Sequence, residues 1–361
     1  MAIKKQLVRD PRREELLAKI KAGCKDAGLD ESSYPLTWHD RVNLDVPVIP
    51  TPSPGLNAAL GIGGIPFGRI IEIYGTESSG KTTLALQLAA AAQKQGRDVG
   101  FIDMAQSLDP SYVEALGVNM AEVLFSQPSS GDDALALAKI MAEVGVGLIV
   151  IDDVPSMAAK AELEKEITDN NIGLQARMMS QGLRQLQPIL RANKCALVFI
   201  NQIREKIGVM YGNPETTPGG RALKFFASMR IEMRATSKRT ETSTMVKVKV
   251  VKNKLAPPYR GCELSIIYGK GIDGSSETFG IACELGVIQK KSAWFILPRL
   301  ECEGMAFVTD TEALRFHGEE SANDFIQQTQ GYFDALTLAV VAAQRALLAP
   351  EPTLVGTKET L

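Results

Sequence analysis

The sequence predicts an α/β protein: a mainly parallel sheet with helices on both faces, preceded by an N-terminal helix and followed by a small α+β domain. Short apolar runs at 69–75 (RIIEIYG), 98–103 (DVGFID), 147–152 (GLIVID), 195–201 (CALVFIN) and 228–235 (SMRIEMRA) alternate with helical stretches at 131–145 and 174–194, the pattern of successive β-α units. Several runs end in a polar residue, Asp103, Asp152 or Asn201, and open α/β sheets hold their ligands at the carboxyl ends of strands. The first run passes through GTESSGKTT, Gly75 to Thr83, directly into the helical TLALQLAAAAQKQG.

Taken in order, residues 11–27 place Leu16, Leu17, Ile20 and Ala22 among charges, which predicts an amphipathic helix. The proline-rich YPLTWHDRVNLDVPVIPTPSPGLNAAL reads as an irregular linker into the core. Beyond about Gly271 the elements shorten to an ETFGIACELGVI helix, a SAWFILP strand, a long helix within 319–348 and a frayed tail. The expected division is 1–50 (helix and linker), 51–272 (core) and 273–361 (small domain and tail).

GTESSGKTT fits G-x-x-x-x-G-K-[ST] at every fixed position, with a strand before it and a helix after it. The backbone N–H groups of such a loop and the helix N-terminus cradle phosphate. Lys81 is expected to reach the β- and γ-phosphates, and the Thr82 hydroxyl to ligate Mg²⁺. Gly75, Glu77, Ser78, Ser79, Gly80 and Thr83 complete the expected pocket for a nucleoside triphosphate. GLIVIDD ends its strand in two aspartates; Asp152 suits the acid that holds the Mg²⁺ shell through water, although an acid capping the next helix fits the bare residues too.

Composition narrows the rest. A formal charge of −2 excludes a chain coated in basic charge, so any nucleic-acid contact must be local. Cys24, Cys195, Cys262, Cys283 and Cys302 are scattered and odd in number, which favours reduced thiols over a disulfide framework or a zinc site. His39 and His317, the two histidines, are too far apart in sequence to suggest a metal site or a Ser-His-Asp triad. The charged N-terminus lacks a signal peptide's apolar stretch, and no apolar run approaches the ~20 residues of a membrane span, so a cytoplasmic protein is expected.

EIYGTESSGKTTLALQ, LGVNMAEVLFSQP, GLQARMMSQGLRQL, FINQIREKIGVMYGNPETTPGGRALKFFAS and VKVVKNKLAPPYR, in this order and spacing, resemble the bacterial RecA recombinases from about Pro54 to Ile288. The resemblance implies an ATP- and Mg²⁺-dependent protein that forms helical filaments on single-stranded DNA and pairs it with homologous duplex. Its roles would lie in recombination, repair and the SOS response, in a bacterial cell or a phage-infected host. Residues 203–220 match the loop that contacts single-stranded DNA, with Arg204, Ile207, Gly219, Gly220 and Arg221 as contacts. Residues 164–177 match the first DNA loop, with Gly173 and Arg177, and Arg184 follows on the next helix. The composition of these loops alone also allows a solvated surface. Gln202 matches the glutamine that senses nucleotide. Tyr112 matches the aromatic that stacks on adenine, with Asp109 helping to hold the base. Lys252 and Lys254 match lysines that reach a neighbour's γ-phosphate, and without the resemblance VKVKVVKNK reads as a half-buried strand with a basic face.

One position departs from the family. Its water-activating glutamate lies two residues after the aspartate of the F-I-D strand, where this chain has Ala105. Gln106, Glu77 and Asp103 are the nearby substitutes. Two readings follow: a recombinase whose ATP hydrolysis is weakened, and a non-hydrolysing ATP-gated DNA-binding scaffold that regulates a resident RecA. The long DNA-loop match argues against a hexameric helicase. In the last region Lys290, Lys291 and Arg299 form the local basic cluster, which a solvated face explains as well as duplex DNA does.

Overall fold

The computed structural model describes residues 11–28, 46–164, 173–205, 215–300 and 314–348. Ile207, His39, Cys302, most of the first DNA loop and the C-terminal tail lie outside them.

The chain divides into two units, Met1–Val46 and Pro47–Leu361. The first holds the expected helix, α1 (Pro11–Asp26), on which Glu15 and Lys19 pair at 2.6 Å one turn apart. In the second, β1 (Val48–Ile49) and β2 (Ile65–Pro66) form a small ribbon around α2 (Pro54–Leu60). Ser53 caps α2 by accepting from the Leu56 N–H at 2.9 Å, and Gly61 ends it in the left-handed region at φ 73°. The stretch expected to be irregular is therefore structured from Pro47 onward, because Ile49, Leu56 and Leu60 bury themselves in the main core.

The central run is β3 (Ile70–Gly75), α3 (Lys81–Lys94), β4 (Val99–Asp103), α4 (Pro110–Ala115), β5 (Val123–Ser126), α5 (Gly131–Glu143), β6 (Leu148–Asp152), α6 (Lys160–Leu163), α7 (Leu174–Ala192) and β7 (Ala196–Gln202). A two-stranded ribbon, β8 (Arg204–Glu205) with β9 (Glu215–Thr216), precedes α8 (Ala222–Phe226). Then come β10 (Met229–Arg239), β11 (Ser243–Asn253), β12 (Gly261–Ile267) and β13 (Gly271–Ile272). These build one nine-stranded sheet in the order β13-β12-β11-β10-β3-β7-β6-β4-β5. Every pairing from β10 to β5 is parallel, and β10 to β13 continue it as antiparallel strands.

Period-two alternation divides the parallel strands between two cores. On β6, Leu148 and Val150 join α3 and α2 in one core, while Ile149 and Ile151 join α5 and α7 in the other. On β11 one face is buried through Val246, Val248 and Val250, and Lys247 and Lys249 are exposed on the other. The sheet therefore carries helices on both faces, as the alternation predicts.

The last region contains α9 (Gly274–Glu284), the sheet β14 (Gln289–Lys291), β15 (Trp294–Leu297) and β16 (Leu314–His317), then α10 (Glu319–Gln328) and α11 (Gln330–Leu348). It has an apolar core of its own, which includes Phe279, Phe295, Ile326 and Tyr332. The long helix expected within 319–348 is two helices, because Thr329 leaves the helical region at φ −112° and ψ 80°. Both α9 and α11 pack on α2. Among the described residues no helix is long and apolar enough to cross a membrane.

Candidate nucleotide site and adjoining loop

At the end of β3 the backbone passes so close to its neighbour that a Cβ on Gly75 would lie 1.8 Å from the Met233 carbonyl oxygen. Gly80, at φ 76°, turns the chain into α3, a conformation that glycine adopts without steric cost. Between them the Ser79 hydroxyl donates to the Thr76 carbonyl at 2.8 Å, and Lys81 Nζ donates to the same oxygen at 2.7 Å. Lys81 is buried, and burial pulls its pKa below the ordinary lysine value against the opposing pull of Asp152, Asp153 and Glu77.

Thr82 Oγ1 donates to Asp152 Oδ2 at 2.7 Å. Burial pushes the Asp152 carboxyl up to about 6, and the Thr82 bond partly offsets that rise. A hydroxyl and a carboxylate held together beside the loop form a hard-oxygen donor pair, the chemistry that suits Mg²⁺. Thr83 Oγ1 and the Tyr112 hydroxyl lie 2.7 Å apart, tying α4 to the start of α3. Asp109 caps α4, accepting from Ser111 N at 2.9 Å and Ser111 Oγ at 2.7 Å, and these bonds hold its pKa below the usual carboxylate value.

Ala105 lies exposed past the end of β4, and its N–H donates to the Asp152 carbonyl at 3.1 Å. Of the substitutes, Asp103 is buried and its Oδ2 accepts from Gln127 Nε2 at 3.1 Å. Gln106 and Glu77 are exposed.

At the end of β7, Gln202 Nε2 donates to Asp153 Oδ2 at 2.7 Å. Asn201 beside it is fully buried; its Oδ1 accepts from Gln202 N at 2.9 Å and its Nδ2 donates to the Pro218 carbonyl at 3.1 Å. Two residues past Gln202 the ribbon of β8 and β9 brings Arg204 opposite Thr216 and so closes the base of the expected DNA loop. Gly219 N donates to Gln175 Oε1 at 3.1 Å, which sets the Gly219–Gly220 pair against the first turn of α7. On α7 Gly173 forms the N-cap at φ 82°, and Arg177 and Arg184, seven residues apart, are exposed on one helical face. Arg204 and Arg221 are exposed too. Among the described residues, the structure thus brings the Gly219–Gly220 end of one segment and the Gly173–Arg177 end of the other together at the N-terminus of α7.

Lys252 and Lys254 turn toward α8 within the same chain. Lys252 Nζ donates to the carbonyls of Lys224 at 2.6 Å and Phe225 at 2.9 Å, and Lys254 Nζ to Phe225 at 3.3 Å. Burial, with Lys254 and Arg230 nearby, brings Lys252 down to about 8. In the last region Lys290 and Lys291 lie on β14, with Lys290 Nζ 5.2 Å from the Phe295 ring centroid.

Sequence reasoning passed over Glu72 and left Asp153 undecided. Glu72 left a signal: a carboxylate inside the apolar RIIEIYG, where a buried charge demands partners. The Asp153–Gln202 bond joins residues 49 apart in the chain and leaves no mark in sequence.

The RecA N-terminal domain family matches residues 31–273. The protein RecA of Thermus aquaticus is 52% identical over 258 residues, covering 70% of this chain and 76% of that one. The protein RecA of Thermus thermophilus is 49% identical over 276 residues, 75% of this chain and 81% of its own. That of Lactococcus lactis subsp. cremoris is 44% identical over 317 residues, 85% and 79% of the two chains. A crystal structure of the RadB recombinase aligns with 60% of this chain and 95% of its own at 22% identity, with a TM-score of 0.48.

Proposed function

Because the chain belongs to the RecA family, we propose that it is an ATP-dependent recombinase that assembles on single-stranded DNA, pairs it with homologous duplex and exchanges strands. The observation that carries this reading is the continuity from phosphate loop to DNA loop. Lys81 and Thr82 open α3, Asp152 ends β6, and Gln202 ends β7 two residues before the ribbon that closes the loop.

In this reading the backbone of Gly75–Thr83 holds the phosphates and Lys81 exchanges its bond to Thr76 for β- and γ-phosphate oxygens. Thr82 would ligate Mg²⁺ and Asp152 would hold its shell through water, and the ion when bound would neutralise phosphate charge. Tyr112 borders the base. Gln202 faces the γ-phosphate and passes its presence to the loop that follows. Arg177, Arg184, Arg204 and Arg221 supply charge to a DNA backbone, with Gly173, Gly219 and Gly220 permitting close approach and Ile207 acting between bases. Such contacts read no base edges, so no sequence preference is expected. Lys252 and Lys254 leave α8 to reach the γ-phosphate of an adjacent protomer, so the site is complete only in a filament. The cytoplasm is the setting that fits.

Ala105 favours a second reading. An alanine can neither accept a proton nor orient water, so a scaffold that binds ATP and DNA without turnover, regulating a resident RecA, has a specific residue in its support. Displacement-loop formation from single-stranded DNA and homologous duplex, with ATP, is the deciding experiment. Product formed by the native chain and absent in Lys81→Ala supports the recombinase. Nucleotide-dependent filaments without product support the scaffold.

A further inference from the structure

Glu72 lies in the middle of β3 with 0% of its surface exposed, between Ile71 and Ile73. A carboxylate in such a place must be held by donors. Its two oxygens serve different partners. Oε1 accepts from Asn201 Nδ2 at 2.9 Å, and Oε2 accepts from Arg230 Nε.

Register explains the arrangement. Glu72 is directly opposite Arg230 of β10, and Arg230 directly opposite Lys252 of β11. On the other side Glu72 is opposite Phe199 of β7, so Asn201 is the diagonal neighbour on the same face. Asn201, Glu72, Arg230 and Lys252 therefore form one polar row across four strands. One end of the row meets the loop, through the Asn201 bond to the Pro218 carbonyl and the Gln202 bond to Asn201. The other end meets α8, through the Lys252 bonds to Lys224 and Phe225.

We propose that Glu72 is a positioning residue that couples Gln202 and the Pro218–Gly220 segment to Lys252 through Asn201 and Arg230. The proposal rests on the functional reading of that loop and that lysine given above. With both oxygens committed and no surface exposed to water, the carboxylate cannot follow Asn201 without changing its hold on Arg230. The Arg230 guanidinium lies 4.4 Å from the Tyr74 ring centroid, which restricts its swing and directs any shift along the row. The negative charge of Glu72 also bears on Lys252, opposing the effects of Arg230 and Lys254 on it. Moving Pro218 when DNA binds thus changes the setting of a lysine three strands away.

The test is a coupling measurement, because adjacency alone does not establish a pathway. The affinity of the full chain for a fluorescent oligo(dT) is measured with and without ATPγS, alongside ATPγS affinity and melting temperature. For Glu72→Gln the expected result is ATPγS affinity within about threefold of native, with the nucleotide-dependent tightening of DNA binding reduced about tenfold or more. A residue with a merely structural role would lower the melting temperature and leave that ratio alone. A folded Glu72→Gln chain with the native ratio overturns the proposal. If Glu72→Gln does not fold, a cycle of Asn201→Ser, Arg230→Lys and the double variant decides. Non-additive effects on the ratio are expected, and additive ones overturn the proposal. A native chain whose DNA affinity ignores nucleotide overturns the functional reading and this proposal with it, whereas native coupling that survives Glu72→Gln overturns this proposal alone.

Discussion

Gln202 Nε2 donates to Asp153 Oδ2 at 2.7 Å, joining the last residue of β7 to the residue that follows β6. One side chain therefore stands between the carboxylates at the nucleotide end of the sheet and the loop that begins at Ile203. Asp153 keeps a second partner, the Ser156 hydroxyl at 2.6 Å, so removing the glutamine does not strand its charge. Gln202→Ala is expected to bind ATP within a few-fold of native and to lose most of the nucleotide-dependent gain in DNA affinity, about tenfold, a normal size for allosteric coupling. Fluorescence anisotropy with labelled oligonucleotide, with and without ATPγS, checks this.

Lys81 is buried and bonded to Thr76, and the proposed reading has it exchange that bond for phosphate oxygens. Lys81→Ala should weaken ATP binding about a hundredfold, the loss of a charge-assisted contact worth roughly 2–3 kcal/mol. Calorimetric titration with ATP reads the loss. Electron microscopy with ATPγS and single-stranded DNA should show no filaments, and their persistence would contradict the assignment of the phosphate loop.

Ala105 stands exposed past β4, beside a strand end whose carboxylate Asp103 is already bonded to Gln127. Restoring a carboxylate there, as Ala105→Glu, is expected to raise DNA-stimulated ATP hydrolysis by about 10²–10⁴-fold, the usual worth of a positioned general base. Phosphate release with and without single-stranded DNA measures it. A native chain that already hydrolyses as fast as the variant would show that another residue orients the water.

Lys252 predicts a pH dependence. Its folded value of about 8 lies below the ordinary 10.5, with burial the main cause, Lys254 and Arg230 adding to it and Glu72 opposing. Below about 8 the lysine is charged; on the proposed reading, in which it meets a neighbour's phosphate, assembly above that value must first bind a proton. Nucleotide-dependent filament formation should therefore weaken as pH rises through 8. Folding runs the other way: between 8 and 10.5 the unfolded chain binds more protons at this lysine, so this group's contribution to stability grows with pH. Light scattering across that range, with melting temperatures in parallel, separates the two. Lys252→Arg, charged throughout, should keep its plateau to higher pH.

Much of this molecule is legible in its sequence because the signals are local. GTESSGKTT is contiguous, and its loop chemistry depends on its own glycines, lysine and threonine. The alternation of apolar runs and helices sets the sheet, and the valine–lysine alternation of 246–250 marks one buried and one exposed face. The two expectations that failed locally show the limit. The proline-rich segment after Pro47 looks irregular, yet Ile49, Leu56 and Leu60 find a core supplied by residues far along the chain. The helix expected within 319–348 carries no proline to announce its break at Thr329.

By itself the sequence determined the strand–GTESSGKTT–helix passage, the α/β alternation, the segments that resemble a recombinase and the alanine at position 105. Only the tertiary structure decided what each polar group holds. Asp152 meets Thr82 across 70 residues, Asp153 meets Gln202 across 49, and Glu72 meets Arg230 across 158. The reason is physical. A strand's period fixes which face a side chain occupies, but strand order and register fix which side chain lies opposite it. For a buried carboxylate such as Glu72 that neighbour determines its partners, and so what it can transmit.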